Sequence, residues 1–370
     1  MRISYLFNSS LPSNNAGSIQ VIKTCEAIKN LSNDIVLISP NTGLNKNITT
    51  FYGLKNSPRI LKIKFFKSFP RGIKYYLFSL ISIIYAIHMK TEIFITRNLF
   101  TLFLLVLLKK KTIIEIHHDL ANEGRVVKFL FNNLRLLNSK SIIKIIAITE
   151  SVKKYLIKKH NVDKNKITIV PSASDLKIKF KKFKSKKTYN IGYFGSLEKT
   201  KGSEFIIKLS NLDKTNNYYV YGGSKSDVIQ LKKKSSSKNL IISEYIPYNK
   251  LNYHIRKMDI LLMPSNQKFL KSLGGIGNIA KYTSPLKLFD YMASGKLIIC
   301  TGLKVFNEIV ENNKSCIMIK KLDARLWLNK ISSLKKKVTV INKIKKNSYT
   351  LSKKYTYKIR AKKILNGLNY

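Results

Sequence analysis

The sequence predicts an α/β protein with two Rossmann-like domains that face each other across a central cleft. Short runs of β-branched residues alternate with stretches of helical periodicity, as is typical of parallel sheets covered by helices. Strands such as 142–148 are continuously apolar, which indicates a sheet buried on both faces. The alternation stops in a polar, basic segment and then restarts. We therefore expect one domain over residues 1–180, a second over 186–352 and a helix over 353–370.

In the first half, the apolar pattern predicts strands separated by helices. A Thr-Glu-Ser sequence after strand 141–148 is a helix-start signal. The predicted strands are 2–7, 34–39, 61–66, 92–96, 112–116, 141–148 and 167–170, and the predicted helices are 17–31, 73–89, 99–108 and 152–159.

In the second half, the same alternation follows the basic segment 175–187, which we interpret as a linker. The tail 353–368 has the spacing of a basic amphipathic helix. The predicted strands are 189–195, 218–221, 240–243, 259–263, 297–301 and 316–319, and the predicted helices are 203–209 and 285–293.

The 370-residue chain has a formal net charge of +50, from 69 Lys and Arg against 19 Asp and Glu. Two explanations are open: a codon bias toward lysine, or attraction to an anionic surface. The lysines are spread along the whole chain, which argues against a nucleic-acid-binding arm. Three cysteines without a C-x-x-C pair indicate neither a zinc site nor a disulfide framework, and they fit a reducing cytoplasm.

Two apolar stretches, 75–89 and 99–108, are shorter than the ~20 residues that a membrane span needs. We expect both to be buried helices of the first domain. Basic and aromatic residues are interleaved between Lys62 and Tyr76, a pattern that fits peripheral contact with an anionic membrane surface.

Ligands of doubly wound folds lie at the carboxyl ends of strands, so the turns there are candidate sites. Gly17 opens a helix whose free N–H groups attract anions, although a plain loop explains it equally well. His117, His118 and Asp119 follow strand 112–116. A histidine there can bond a hydroxyl or transfer a proton while the acid orients the ring, and a merely packed histidine is the alternative. No third partner lies at metal-ligand spacing.

The turn Gly195-Ser-Leu-Glu-Lys-Thr-Lys-Gly202 follows the first strand of the second domain. Lys201 and the helix start behind it are suited to a diphosphate, with Lys199 as a rival. The spacing differs from that of a Walker A loop. Gly222, after the next strand, allows a ligand to approach the backbone closely.

The strongest signal is a glycine-rich stretch, 273–283, that leads into a helix. Ser284 is predicted as the N-cap and Pro285 as the first helical residue. Lys287 and Asp290 then lie three residues apart on one helix face. Asp290 is placed to accept hydrogen bonds from ribose hydroxyls, and the alternative is an exposed acid that pairs with Lys287.

These motifs resemble those of retaining glycosyltransferases of family 4, which have the GT-B fold and belong to the glycosyl transferases group 1. The segment Ser284–Gly295 with the Lys-Leu-Ile-Ile-Cys that follows is similar to the donor-binding segment of that family. Gly195–Gly202 resembles its Gly-Arg-Leu…Lys-Gly turn. Weaker likenesses are Glu115-x-His117, 148–154 and Val170-Pro171. The resemblance implies a GT-B fold whose C-terminal helix crosses back to the N-terminal, acceptor-side domain.

The resemblance also implies roles for individual residues. His117 would lie near the donor sugar, Lys201 would contact the diphosphate, and Asp290 would hold the ribose where the family has glutamate. The backbone N–H of Gly17 would lie near the phosphate. The family needs no metal and the chain contains no D-x-D pair, so we expect no cofactor. The donor-binding set is completed by Gly195, Ser196, Gly222, Ser284, Pro285, Leu286 and Lys287.

Three positions depart from the family pattern. Tyr282 stands where the first motif glutamate would be, and Ser196 stands where the family has a diphosphate-binding arginine. The turn 171–175, Pro-Ser-Ala-Ser-Asp, lacks the family's glycine.

We therefore expect a metal-independent hexosyltransferase that moves a sugar from a UDP- or GDP-sugar to a lipid-linked or surface-glycan acceptor with retention of configuration. Such an acceptor belongs to lipopolysaccharide or capsule biosynthesis. The expected location is the cytoplasm, peripheral to an anionic membrane, without a nucleic-acid partner. The alternative is a non-catalytic protein that binds membrane surfaces or polyanions on a degenerate transferase scaffold, an interpretation that Tyr282 and the charge favour.

Overall fold

The computed structural model describes residues 1–64, 70–120, 129, 135–271, 277–334 and 336–368. The chain forms two compact units. The first contains Met1–Ser172 together with the chain from Tyr357 onward, and the second contains Ala173–Thr356. The crossing at residue 172 comes earlier than the boundary expected from the sequence.

A parallel sheet forms the centre of the first unit, in the order β3-β2-β1-β4-β5-β6-β7. Its central strands are buried along almost their whole length, as their continuous Ile and Val content requires. The strands are β1 Arg2–Leu6, β2 Asp34–Pro40, β3 Arg59–Ile63, β4 Ile93–Thr96, β5 Thr112–Ile116, β6 Ile142–Ala147 and β7 Ile167–Ile169, and the helices between them are α1 Ala16–Lys29, α2 Ile48–Tyr52, α3 Arg71–His88, α4 Leu99–Leu107 and α5 Glu150–His160.

The second unit has a parallel sheet in the order β10-β9-β8-β11-β12-β13, the strand order of dinucleotide-binding Rossmann domains. One face of this sheet packs against helices α6 and α10, with Trp327 of α10 in the core. The other face packs against α9. The strands are β8 Asn190–Phe194, β9 Asn217–Tyr221, β10 Leu240–Ser243, β11 Ile260–Met263, β12 Leu297–Thr301 and β13 Ile317–Ile319, and the helices are α6 Ser203–Leu212, α7 Lys225–Lys233, α8 Leu251–Arg256, α9 Leu286–Ser294, α10 Ala324–Leu334 and α11 Val338–Ser352.

The last helix, α12 Tyr357–Leu365, packs against α1 within the first unit. It begins later than the predicted tail helix because α11 runs to Ser352 and a turn separates the two. Lys144 of β6 donates hydrogen bonds to the carbonyls of Ile364 and Asn366, and it thereby closes the end of α12.

The segment interpreted as a linker, 175–187, has neither helix nor strand but is not free of the second unit. Ile178 and Phe183 are buried, and the Phe183 ring stacks on Tyr189 at 5.0 Å between ring centroids. The linker interpretation is wrong because single apolar residues among the lysines pack against the domain without a periodic pattern.

The apolar stretches in α3 and α4 form helices close to the predicted bounds. The expectation that both are buried is wrong for one face of α3 and the end of α4, where Ile84 and Leu107 are exposed. None of the helices within the described ranges is long and apolar enough to cross a membrane.

Candidate active site

The topology of the second sheet places its switch point between β8 and β11, where ligands of such folds bind. The loops after these strands touch. The Asn266 N–H donates to the carbonyl of Thr200 at 2.7 Å. Gly202 has φ +87, and a Cβ there would lie 1.9 Å from the Pro264 carbonyl oxygen. Only glycine therefore lets these two loops meet.

Gly222, predicted from its place after β9, serves a similar close approach. A Cβ on Gly222 would lie 1.6 Å from the carbonyl oxygen of Gly195. The turns after β8 and β9 are thus in backbone contact, and the predicted site residues Gly195 and Gly222 lie next to each other.

Lys287 projects from the first turn of α9 toward the turn after β8. Its Nζ lies 4.1 Å from the centre of the Tyr193 ring, and a Cβ on Gly195 would lie 2.8 Å from that nitrogen. The Nζ is fully enclosed and has no hydrogen-bond partner within the described part of the chain. Burial, and then the charge of Lys201, lower the pKa of Lys287 well below its usual value. An unpaired buried cation is costly, so this position is suited to an anion.

Ser196 directly follows Gly195, the residue that Lys287 approaches. Its Oγ is also enclosed without a hydrogen-bond partner among the described residues, while its carbonyl accepts from the Tyr193 hydroxyl at 2.7 Å. A hydroxyl and an ammonium group that both lack partners at one turn form a polar cradle that an anionic ligand would satisfy.

The two lysines of the turn after β8 differ in surroundings. Lys199 is 80% exposed and pairs with Glu204 at 3.8 Å. Lys201 is partly enclosed, burial lowers its pKa, and its charge acts on Lys287. The geometry therefore favours Lys201 over Lys199 as the second cation of the site.

The start of α9 differs from the prediction. Helix α9 begins at Leu286 and Pro285 is its N-cap, with ψ 124, so the expectation of Ser284 as the cap and Pro285 as the first helical residue is wrong. The extended ψ of Pro285 delays the first helical residue by one position. A proline cap supplies no side-chain hydrogen bond, and the Leu288 N–H donates to the Pro285 carbonyl at 2.9 Å, so an anion at this helix start would meet the N–H groups of Leu286 and Lys287.

Asp290 lies on the buried side of α9 and is only 4% exposed. Its Oδ1 accepts from Ser174 Oγ at 2.6 Å and from the Tyr248 hydroxyl at 3.1 Å. Burial raises the pKa of Asp290 to about 7, against the effect of these two donors. The alternative of an exposed acid paired with Lys287 is thus wrong, because the two side chains enter different surroundings. Within the described ranges Oδ2 receives no hydrogen bond, and it is the atom that can accept from a hydroxyl.

Part of the predicted glycine-rich stretch, 273–276, lies outside the described residues. From Gly277 the chain is described, and the Tyr282 and Thr283 N–H groups both donate to the carbonyl of Ile279. This turn leads directly into the Pro285 cap.

In the first unit, the sheet's switch point lies between β1 and β4. Gly17 is the second residue of α1, whose N-cap Asn15 makes no side-chain capping bond. Arg97 follows β4, and its Nη1 would be 3.7 Å from a Cβ on Gly17. Gly17 and Arg97 therefore lie together at the point where the fold places ligands.

His117 follows β5, and its Nε2 is 2.8 Å from Glu115 Oε1. Burial, and then the charge of Arg97, lower the pKa of His117 to about 4. The sequence predicts that Asp119 orients the His117 ring, but the carboxylate that contacts it is Glu115. Asp119 instead offers its backbone carbonyl to the His118 ring at 3.0 Å.

Sequence reasoning missed Arg97, Arg360 and Tyr248. Arg97 stands directly after a strand, so the inspection of strand ends that found His117 applies to it as well. Arg360 lies in a lysine-rich helix and Tyr248 in a polar turn, and no pattern in the sequence distinguishes either from its neighbours.

No group of three or more His, Cys, Asp or Glu side chains that could hold a metal ion occurs in the part of the chain that the structure describes.

Residues 188–337 match the family model described as Glycosyl transferases group 1. This segment contains β8, α9 and the polar cradle between them. This segment is similar to the group 1 glycosyltransferases. Within this group 1 domain lie both lysines, Ser196 and Asp290.

The whole chain is similar to solved structures with the GT-B fold. Sucrose-phosphate synthase from Thermosynechococcus elongatus matches with a TM-score of 0.73 and 13% identity, over 97% of this chain and 96% of that one. Anabaena Alr3699/HepE in complex with UDP and glucose matches with a TM-score of 0.74 and 11% identity, over 100% and 99%. WaaG, a glycosyltransferase involved in lipopolysaccharide biosynthesis, matches with a TM-score of 0.67 and 10% identity, over 99% and 100%. At these identities the likeness establishes the fold, two parallel α/β units as predicted. No curated protein sequence matches the chain.

Proposed function

We propose that the protein transfers a sugar from a nucleoside-diphosphate sugar to an acceptor hydroxyl. The observation that carries this proposal is the enclosed, unpartnered Lys287 Nζ at the turn after β8, where Ser196 Oγ is also enclosed and unpartnered, within a group 1 domain. A diphosphate supplies the negative charge and the acceptor oxygens that both groups require.

The roles follow from the surroundings of each side chain. Lys201 and Lys287 bind the diphosphate at the N-terminus of α9. Asp290 accepts from the ribose hydroxyls through Oδ2. His117 in the first unit is assigned to the transferred sugar. UDP-glucose is a reasonable first donor, because a structure with the same fold was solved with it, and GDP-sugars are the second candidates.

Catalysis in this proposal is leaving-group stabilisation. As the bond from the sugar to the diphosphate breaks, negative charge grows on the phosphate oxygen. Two fixed ammonium groups and a helix N-terminus neutralise that charge in a site where little reorganisation is needed. The resemblance to retaining enzymes supports retention of configuration, and the cations of the site supply the charge that other transferases take from a metal ion.

The test compares nucleotide binding and turnover in matched lysine variants. Lys201→Met should weaken UDP or GDP binding by about 10- to 150-fold, the equivalent of a charge-assisted hydrogen bond of roughly 1.5–3 kcal/mol. Lys199→Met is the control, because Lys199 is exposed and pairs with Glu204. Thermal shift with UDP, GDP, ADP and TDP identifies the nucleotide. If none of these nucleotides stabilises the protein and no sugar nucleotide is turned over, the proposal fails.

We further propose that the acceptor is lipid-linked and that the first unit contacts an anionic bilayer through α3 and the end of α4. One face of α3 presents exposed apolar side chains at helical spacing, with Ile84 66% exposed, and Leu107 and Leu108 extend the surface from α4. The members on α3 are Ile73, Tyr76, Leu80, Ile84 and Ile87. An apolar stripe of this extent on a water-soluble surface marks a contact site.

Charge complementarity favours a bilayer as the occupant. Lys90 follows the end of α3, and Lys109–Lys111 follow α4. These lysines precede the neighbouring parallel strands β4 and β5. Basic residues at the edge of an apolar helix face are typical of peripheral helices on anionic lipid. The predicted stretch Lys62–Tyr76 is described only in part, since residues 65–69 lie outside the described ranges, and the apolar face continues well beyond it.

Liposome flotation tests this contact. The double variant Leu80→Ser and Ile84→Ser should weaken binding to phosphatidylglycerol vesicles by about 10-fold or more, since burial of each side chain contributes roughly 1.5 kcal/mol or more. Ile241→Ser, on the exposed edge strand β10 of the other unit, is the matched control. Equal binding of both variants, or no binding of the unaltered protein to anionic vesicles, contradicts the assignment. Nucleotide and vesicle binding without any sugar transfer would favour a non-catalytic function on this scaffold.

A further inference from the structure

A buried charge cluster surrounds Glu115 on β5, and the proposed function uses only its histidine. Glu115 is 2% exposed. Its Oε1 accepts hydrogen bonds from Arg97 Nη2 at 2.8 Å, from His117 Nε2 at 2.8 Å and from Arg360 Nη2, and its Oε2 accepts from the Tyr5 hydroxyl at 3.1 Å. Every one of these residues belongs to the first unit.

The charge of Glu115 follows from the two guanidinium groups. Burial by itself raises the pKa of this carboxyl, but Arg360 and then Arg97 outweigh it and hold the pKa of Glu115 well below its usual value. The other titratable groups that face the cluster are Tyr5 on β1 and Cys25 on α1. Burial raises the pKa of both, so both stay neutral.

An ionised Glu115 determines which ring nitrogen of His117 carries the proton. A carboxylate only accepts hydrogen bonds, so the proton in the contact between the two side chains lies on Nε2. With its lowered pKa the ring is neutral at physiological pH. A neutral ring with its proton on Nε2 has an acceptor lone pair on Nδ1, and a quarter of the side chain remains exposed.

Arg360 is held at each nitrogen of its guanidinium. Nη1 donates to the carbonyls of Val170 at 2.8 Å and Pro171 at 2.6 Å, Nε donates to Thr24 Oγ1 at 3.1 Å, and Nη2 donates to Glu115. Its side chain is 1% exposed. The Arg360 guanidinium is therefore fixed in one position. Helix α12 places it at the carboxyl end of β5, next to the segment that bears His117.

We propose that Arg360 and Glu115 are positioning residues for His117. Arg360 keeps the Glu115 carboxylate ionised and fixed, and Glu115 holds the proton of the neutral His117 ring on Nε2, so that Nδ1 accepts a hydrogen bond from a substrate hydroxyl. The assignment of a substrate hydroxyl to Nδ1 rests on the proposed function, whereas the protonation state of the imidazole ring does not.

Nitrogen-15 NMR of the imidazole rings through a pH titration tests the proposal, with His117→Gln to assign the signal. In the unaltered protein His117 should carry its proton on Nε2 and remain neutral down to about pH 5. Arg360→Met removes a charge that lowers the pKa of His117, so that pKa should rise. Arg360→Lys keeps the cation and should stay near the unaltered value. Lys362→Met, on the exposed side of α12, is the matched control.

Kinetics give a second readout. Arg360→Met should lower kcat by about 10-fold or more while nucleotide affinity stays unchanged, because the nucleotide cradle lies in the second unit. If His117 titrates near its ordinary pKa of ~6.5 in the unaltered protein, or carries its proton on Nδ1, the inference is overturned even where the variants fail to fold. It is also overturned if Arg360→Met titrates like Lys362→Met. If the protein has no transferase activity, the proposed function is contradicted. The NMR titration then still decides the inference on Arg360, Glu115 and His117.

Discussion

Lys287→Met should have opposite effects on the stability of the free protein and on its affinity for nucleotide. Methionine has a similar length and no charge, so it fills the space over the Tyr193 ring without placing a cation there. In the free protein the ammonium nitrogen is enclosed and has no hydrogen-bond partner within the described ranges. Its replacement therefore removes an unfavourable buried charge.

The magnitudes follow from this burial. An unpaired buried ion costs several kcal/mol, of which deprotonation and the cation–π contact with Tyr193 recover a part, so we expect the variant to be stabler by roughly 1–2 kcal/mol. The lost contact with phosphate is worth roughly 1.5–3 kcal/mol, which weakens nucleotide binding by about 10- to 150-fold.

The assay is thermal and urea unfolding with and without UDP or GDP, together with calorimetry in buffers of different ionisation enthalpy. Because the pKa of Lys287 is lowered, the folded free protein binds fewer protons than the unfolded chain, and its stability should rise with pH through that range. Diphosphate binding restores the proton, so at about pH 9 the unaltered protein should take up protons on binding and the variant should take up fewer.

Lys281→Met is the control, since Lys281 is exposed four residues before the N-cap Pro285 and should change neither quantity. A Lys287→Met protein that is less stable than the unaltered one would refute the assignment of an unsatisfied cation. Unchanged nucleotide affinity would refute its contact with the diphosphate.

Two other changes test the site. Gly202→Ala should destabilise the protein by about 2 kcal/mol or more, because φ is +87 and the new Cβ would meet the Pro264 carbonyl, whereas Gly72→Ala in α3 should be neutral or stabilising; equal unfolding midpoints would contradict this. Asp290→Asn should flatten the pH dependence of stability. The pKa of about 7 lies above the unfolded value, so the unaltered protein should lose stability as pH rises toward 7, and urea titrations that show no such loss would contradict the burial argument.

The fold was largely predictable because burial on both faces of a parallel sheet leaves a local signature. Strand 112–116 matches β5 residue for residue, and 240–243 and 297–301 match β10 and β12. Helix α7 was missed although Ser224 and Asp227 form a capping box, a signal that short-range inspection can find. Helices α10 and α11 were also missed, although the buried Trp327, Ile331 and Leu334 of α10 follow helical spacing.

The candidate site was predictable to the extent that its residues follow strands or begin a helix. Gly195, Lys201 and Gly222 were singled out by that rule, and Ser196 was added by the family resemblance. The surroundings of Asp290 were not, since Ser174 and Tyr248 come from turns 116 and 42 residues away in the chain. The sequence placed an acid on a helix, and only packing shows that its carboxylate is buried with one oxygen already bonded.

The amino-acid sequence by itself determined the two parallel sheets, the strand ends that hold the candidate residues and the cap region of α9, because each depends on neighbouring residues. Only the tertiary structure decided which side chains share one environment. Lys287 and Asp290 are three residues apart yet serve different purposes, whereas Glu115 and Arg360 are separated by 245 residues and form one ion pair. Charge interactions act through space and strengthen with burial, so the partners of a buried charge are fixed by packing and not by chain order.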